Sequence, residues 1–198
     1  MNFNGPSVHL RPFVPADVKA FAELAGDRAI ADTMISVPHP LDTAAAEMLL
    51  HGYAKAETEG IACYFAIALP NAETDLFVGS IALRDIDREH ALGELSFWVG
   101  RPWWGQGIAS RAAELALAIA FDELALNRIS AYHMVRNPAS GCVLRRLGFH
   151  QEGILRQRVR KWGRFEDVAA CAMLRSEYFS AVLPASRCGA AQKPEGVV

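Results

Sequence analysis

The stretch Trp104-Gly105-Gln106-Gly107-Ile108-Ala109-Ser110 joins an apolar run to a helix-periodic one, and its residue types favour one kind of chemistry. Glycine reaches positive φ and lets a ligand approach the main chain. The first turn of a helix carries N–H groups without intrahelical partners, and these can hold phosphate oxygens. Together the features describe a pyrophosphate cradle, although an ordinary strand-to-helix turn with a packed glycine reads equally well from the loop alone. A Rossmann site would place GxGxxG after the first strand, with an acidic residue about 20 further on, and the spacing here does not fit. A P-loop would end in Gly-Lys-Ser/Thr, which is absent. The cradle reading therefore points to a phosphate-bearing cofactor outside both classes.

Glu94 is the main candidate for proton transfer. Strand alternation puts Glu94, Ser96 and Trp98 on one face and Leu95, Phe97 and Val99 on the other. A carboxylate in mid-strand among apolar neighbours needs a partner or a cleft. Facing a cleft it would serve as a general base; bonded to a nearby arginine it would be structural. Asn137 reads as a helix N-cap, with Pro138 in the first turn. Ser140 is a helix-start hydroxyl bonded to backbone, or a weak acid. Arg145 and Arg146 would either meet a phosphate or form a solvated face. The six histidines (His9, His39, His51, His90, His133, His150) lack ligand spacing, so no metal site is expected.

These side chains need a frame, and 198 residues is about what one core fills. Lys plus Arg total 20 against 22 Asp plus Glu, without the basic excess that a nucleic-acid binder needs. No run approaches the roughly 20 apolar residues of a membrane span. The start, MNFNGPSVHLRPF, lacks a basic segment followed by an apolar one, so it does not read as a secretory signal. Cys63, Cys142, Cys171 and Cys188 show no CxxC spacing and fit thiols of a reducing compartment. The expectation is a soluble cytoplasmic domain over residues 1–183, with a disordered tail at 184–198.

Strands are expected at Val8–Phe13, Tyr64–Leu69, Leu76–Leu83, Gly93–Val99, Arg128–Val135, Glu152–Val159 and Asp167–Leu174. One helix starts with Asp17 as its cap, a second at Asp42 or Thr43, and two more cover Ile108–Leu124 and Pro138–Leu147. Ile35–Leu41, with its two prolines, reads as a loop. The order β-α-α-β-β-β-α-β-α-β-β belongs to a mixed α/β (α+β) sheet protein.

Trp103 through Ala109 resembles the acetyl-CoA loop of the GNAT N-acetyltransferases, in its RimJ/RimL-like form. Glu94-Leu95-Ser96-Phe97-Trp98-Val99 resembles that branch's central strand. Asn137-Pro138-Ala139-Ser140, then Leu147-Gly148-Phe149 and Glu152-Gly153, are similar to its Asn-x-x-Ser, Gly-Phe and Glu-Gly segment. Trp162-Gly163 through Asp167, and Arg175-Ser176-Glu177-Tyr178, resemble its end. The likeness covers about residues 8–180.

The resemblance implies a GNAT-like mixed central sheet flanked by helices, with acetyl-CoA as acetyl donor. It implies cofactor contacts from Phe97, Trp98, Val99, Trp104, Gly105, Gln106, Gly107, Ile108, Ala109, Ser110, Asn137 and Arg145, with Glu94 and Ser140 as base and acid. In particular, N–H groups around Trp98 and Val99 would polarise the thioester, and the Asn137 amide would meet pantetheine. The implied acceptor is a primary amine, either a protein N-terminal α-amine or a small molecule, with no nucleic acid or membrane and with a homodimer left open. Arg156, Arg158, Arg160, Lys161 and Arg164 form a basic strand that is either solvated or guides an acidic acceptor. Cys142 has no histidine partner in sequence, which argues against an acyl-cysteine route. The chain departs from the family pattern at Leu144, where many members carry an acidic tyrosine, and at Val159, where some carry a carboxylate. Trp104 and Arg111 also replace more usual residues. A non-catalytic CoA-binding module is the alternative reading.

Overall fold

A computed structural model of the chain describes residues 7–35, 37–71 and 75–182. The expected tail at 184–198 lies outside these residues, as does the middle of the turn at Pro70–Asp75. Seven strands form the sheet: β1 (His9–Arg11), β2 (Cys63–Leu69), β3 (Leu76–Asp87), β4 (Leu92–Val99), β5 (Arg128–Met134), β6 (His150–Lys161) and β7 (Arg164–Leu174). Their order is β1-β2-β3-β4-β5-β7-β6. Every neighbouring pair is antiparallel except β4 and β5. The helices are α1 (Asp17–Ala25), α2 (Arg28–Ala31), α3 (Thr43–Thr58), α4 (Ile108–Ala118), α5 (Pro138–Leu147) and α6 (Arg175–Val182).

Alternation along β4 divides the interior into two cores. Leu95 and Val99 join Ile108, Leu117, Phe121 and Ile129 on the α4 side. Trp98 points the other way, into an aromatic cluster under α1 and α3. There Phe21 meets the Trp98 ring edge-on at 5.5 Å and lies 6.2 Å from Phe77. A turn of π-helix over Ile119–Glu123 follows α4 and holds Phe121 against Tyr178, 4.9 Å between centroids.

The feature that makes a site is where the parallel ladder stops. β4 and β5 pair from Leu92↔Arg128 to Leu95↔Ala131 and no further. Beyond that point β4 stays on β3 as far as Val99↔Gly79, while β5 stays on β7 as far as Met134↔Val168. Each strand follows its antiparallel partner, so a wedge opens between them.

Several local expectations change. Asp17 is not the cap of α1: Ala16 holds that position, and Asp17 is the first helical residue, almost fully buried. Its carboxylate accepts two bonds from Arg11, at 2.7 and 2.8 Å, and one from the Val14 amide at 2.9 Å. An acidic side chain beside β1 is worth more as that cation's counter-charge than as a helix cap. The short helix α2 is capped by Asp27, which accepts from the Ala29 amide; four residues are too few to show a helical period. β3 runs on to Asp87 because a bulge carries it past Arg84.

Candidate functional site

The wedge opens into a cavity of about 400 Å³ lined by Glu94, Phe97, Asn137, Ser140 and Leu144, among others. Five residues singled out from sequence separations of up to 50 positions thus share one space. Arg84, Tyr132, His133, Arg158 and Val159 line it as well.

The main chain of β4 sets what the wedge can bind. The Gly100 amide donates to Val78 at 2.8 Å, which makes that pair and the pairs two residues apart hydrogen-bonded ones. In the register Ser80↔Trp98, the peptide groups of Trp98 therefore bond to β3. Those of Phe97 and Val99 face the β5 side, where β5 has already left. This corrects the expectation for Trp98: its amide is in the sheet ladder and its indole is in the aromatic core. The exposed strand edge belongs to Phe97 and Val99. The Val99 carbonyl accepts from the Trp104 indole at 2.6 Å, which leaves the Val99 N–H and the Phe97 peptide groups as the edge's open valences.

The glycine loop follows directly. A turn of 3-10 helix over Arg101–Trp103 leads into Gly105 and Gly107, both at φ +76°. A Cβ built at either glycine would meet nothing within 4 Å, so the space over them is open and the residue type is required by backbone conformation. Gly107 caps α4 without any side-chain acceptor, and the first intrahelical bond runs from Arg111 to Gly107. The amides of Ile108, Ala109 and Ser110 precede that bond and keep their positive end of the helix dipole uncovered. By contrast, α3 and α5 are capped by Asp42 and Asn137. The side chains of Ile108 and Ser110 are buried, so these positions present backbone only. Gln106 staples the loop through a bond to the Pro102 carbonyl at 3.2 Å. Trp103 packs on the core, while Trp104 is half exposed.

On the α5 side, both ends of the Asn137 amide turn to Ser140. Its oxygen accepts the Ser140 amide at 3.4 Å and its nitrogen donates to Ser140 Oγ at 2.9 Å. This is the cap predicted from sequence. The Ser140 hydroxyl accepts from Asn137 and so keeps its own hydrogen to donate into the cavity. Arg145 does not reach the cavity; it is exposed and lies 3.1 Å from Cys142 Sγ.

Glu94 is not a solitary carboxylate. Arg84 stands directly across from it on β3, on the same face, and the two form an ion pair. Burial works against the Arg84 charge, but neighbouring Glu94 holds its pKa above the ordinary arginine value. Arg84 Nε is buried without a hydrogen-bond partner. His133, which sequence spacing did not single out, packs on the α5 backbone: a Cβ at Gly141 would lie 2.9 Å from its Nε2. Its Nδ1 is 2.9 Å from the Met134 carbonyl, which can only accept. Nδ1–H therefore donates to that carbonyl, which fixes the orientation of the ring.

A clasp roofs the cavity, and no local pattern in the sequence announces it. Thr33, Met34 and Ile35, after α2, line one wall. Asp32 accepts from Arg136 at 2.6 Å and from the Trp162 indole. Lys161 donates to the carbonyls of Met34 at 2.7 Å and Val37 at 3.2 Å. The hydrogen bonds from Arg136 hold the Asp32 carboxyl below its usual range, and burial lowers the Lys161 pKa. His39 is also part of this clasp, edge-on to Trp162 at 5.6 Å, and does not line the cavity.

A family model described as an acetyltransferase (GNAT) domain matches residues 7–150. The chain belongs to the GNAT acetyltransferase family. Among curated proteins it is 37% identical over 120 residues to the uncharacterized N-acetyltransferase p20 of Bacillus licheniformis, spanning 61% of this chain and 66% of that one. It is 28% identical over 115 residues to the ribosomal protein uS5-alanine N-acetyltransferase of Escherichia coli, spanning 58% and 59%. The chain thus matches a little under two thirds of the length of these relatives. Among solved structures, spermidine N-acetyltransferase from Vibrio cholerae, in complex with CoA and spermine, superposes with a TM-score of 0.76 at 24% identity. That match covers 87% of this chain and 98% of the other, and it shows the GNAT fold. The mixed central sheet flanked by helices agrees with the architecture expected from sequence. No helix among the described residues is long and apolar enough to cross a membrane.

Proposed function

We propose that the chain is an acetyl-CoA-dependent N-acetyltransferase whose acceptor is an α-amine. The observation that carries this reading is the open Phe97–Val99 edge, with Phe97 lining the cavity and the uncapped α4 N-terminus following a few residues later in the chain. The residues fit the cofactor: the amides of Ile108, Ala109 and Ser110 would hold the diphosphate, and the Phe97 and Val99 edge would pair with pantetheine. Bound there, acetyl-CoA supplies a thioester carbonyl for the amine to attack. A donor aimed at the carbonyl oxygen from that edge is worth about 3 kcal/mol. The Ser140 hydroxyl donates a hydrogen toward the departing sulfur, a modest task for a thiol with pKa near about 8.5.

Proton removal decides the acceptor class. At pH 7 an α-amine with pKa of about 7.8 needs roughly 1 kcal/mol to become neutral, whereas a lysine at about 10.4 needs nearly 5 kcal/mol. With Glu94 held by Arg84, its carboxylate suits orientation of an incoming ammonium, or of a water that takes the proton, better than direct abstraction. Such a site favours amines that are already partly neutral. For a peptide N-terminus, kcat/KM should rise with pH and level off above about 8, following the amine. Release of free thiol measured over about pH 6 to 11 tests this; a rise continuing past about pH 10 would indicate a lysine acceptor instead.

Leu144, aliphatic and buried in the cavity, favours the second reading, a CoA-binding module without catalysis. Purified protein, acetyl-CoA and a panel of amines separate the two: thiol release with any α-amine supports the enzyme, and CoA binding without release supports the module. The clasp adds a further expectation. Asp32→Asn, which removes one of the two counter-charges of Arg136, should raise acceptor KM about threefold to tenfold while CoA affinity stays unchanged. Steady-state kinetics in both substrates is the check.

A further inference from the structure

The wedge is flanked by two β-bulges, and each brings a charged residue to the same cavity. On β3, Arg84 pairs with Glu94 and Asp87 with Leu92, so Asp85 and Ile86 share the single residue Gly93. Asp85 adopts φ +49°, a conformation that a residue with a side chain rarely takes up without cause. On β6, Leu155 pairs with Val168 and Val159 with Glu166, so Arg156, Gln157 and Arg158 stand opposite Asp167 alone. Gln157 adopts φ +50°, and its amide is held by the Asp167 carboxylate at 2.8 Å. Bulges next to functional clefts re-aim side chains, and here Asp85 and Arg158 both line the cavity.

The charges differ in how far they are already satisfied. Glu94 and Arg84 neutralise each other, and Arg136 is shared between Asp32 and Glu166. Lys161 is occupied by two carbonyls, and Arg160 lies over the Phe165 ring. Among the described residues, Asp85 has only a contact of 3.9 Å with Arg84. Among the described residues Arg158 has neither an ion pair nor a hydrogen bond, and it lines the cavity. The site therefore presents one loosely held anion and one unpaired cation to whatever enters.

We propose that the acceptor carries a carboxylate as well as its α-amine, the ammonium drawn past Asp85 and the carboxylate held by Arg158. This rests on the acetyltransferase reading above and names its substrate class: an acidic peptide N-terminus or a free amino acid. A polycation such as spermidine would bring its second charge against Arg158 and is disfavoured.

The test uses three peptides that begin with alanine and continue with aspartate, glutamine or lysine, together with free aspartate. Thiol release is measured with the intact protein and with Arg158→Glu. The intact protein should prefer the aspartate peptide over the lysine peptide by at least about tenfold in kcat/KM, and Arg158→Glu should reverse that order while changing the glutamine peptide least. Comparison of the aspartate peptide with free aspartate separates the two sources of the carboxylate. Calorimetric binding of the same peptides in the presence of CoA gives the ranking even without turnover. Equal use and equal binding of all three peptides, or an equal loss for all three in Arg158→Glu, would overturn the proposal. Failure of every amine to release thiol, with the charge ranking intact in binding, would instead reject the acetyltransferase reading alone.

Discussion

Gly107→Glu should weaken CoA binding about 100-fold, measured by calorimetry, in a protein that keeps its far-ultraviolet circular dichroism. Three effects act together. Gly107 sits at φ +76°, where a side chain costs roughly 1–2 kcal/mol. Relaxing that strain would swing the amides of Ile108 to Ser110 away from their present direction. A carboxylate at the cap position would also occupy the positive end of α4, which favours an anion by about 0.3–1 kcal/mol, and would repel a second one. Gly107→Ala separates the causes. Its Cβ meets nothing within 4 Å, so only backbone strain remains and the loss should be tenfold or less. Equal affinity for the glutamate variant and the parent would show that the diphosphate binds elsewhere.

Phe21→Ala should lower the stability of the fold by about 3–5 kcal/mol, the range for deleting a fully buried aromatic. Phe21 has no exposed surface and lies against Phe13, Tyr53, Phe77 and Trp98. It is the contact through which α1 supports β4 from beneath, on the face opposite α4. For a domain of this size each kcal/mol moves the melting temperature by about 2–4 °C, so a drop of roughly 6–20 °C is expected in a thermal melt. Because the aromatic cluster does not touch the glycine loop, CoA affinity measured well below the transition should be close to that of the parent. A melting temperature within a degree or two of the parent's would mean that the cluster does not hold β4.

The frame of the site was legible in the sequence because its signals are local. Glycine at 105 and 107, the Asn137-Pro138 cap, Gly148 after α5 and the alternation of Glu94 to Val99 each specify backbone within a few residues. What could not be read depends on registers and on chain crossings. The Arg84–Glu94 pair requires the β3–β4 register, and the Asp85 bulge beside it changes any count made from the turn. Alternation gave the face of Trp98 correctly but not the direction of its peptide group, which depends on which pairs of an antiparallel ladder are hydrogen-bonded. The clasp joins Asp32 to Arg136 and Trp162 across more than a hundred residues. The two bulges were invisible for a related reason: Gln157 and Asp85 have side chains, and neither marks positive φ as plainly as glycine does. The charged residues were all visible; which of them is left without a partner was not.

The most direct measurement of the central claim is a titration of amide-labelled protein with CoA, followed by NMR. The main-chain signals of Ile108, Ala109, Ser110, Phe97 and Val99 should shift together and saturate at one concentration, since one molecule spans helix end and strand edge. That of Trp98, bonded into β3, should shift less than those of its neighbours Phe97 and Val99. Saturable shifts that spare Ile108 to Ser110, or that move Trp98 while Phe97 and Val99 stay still, would contradict it.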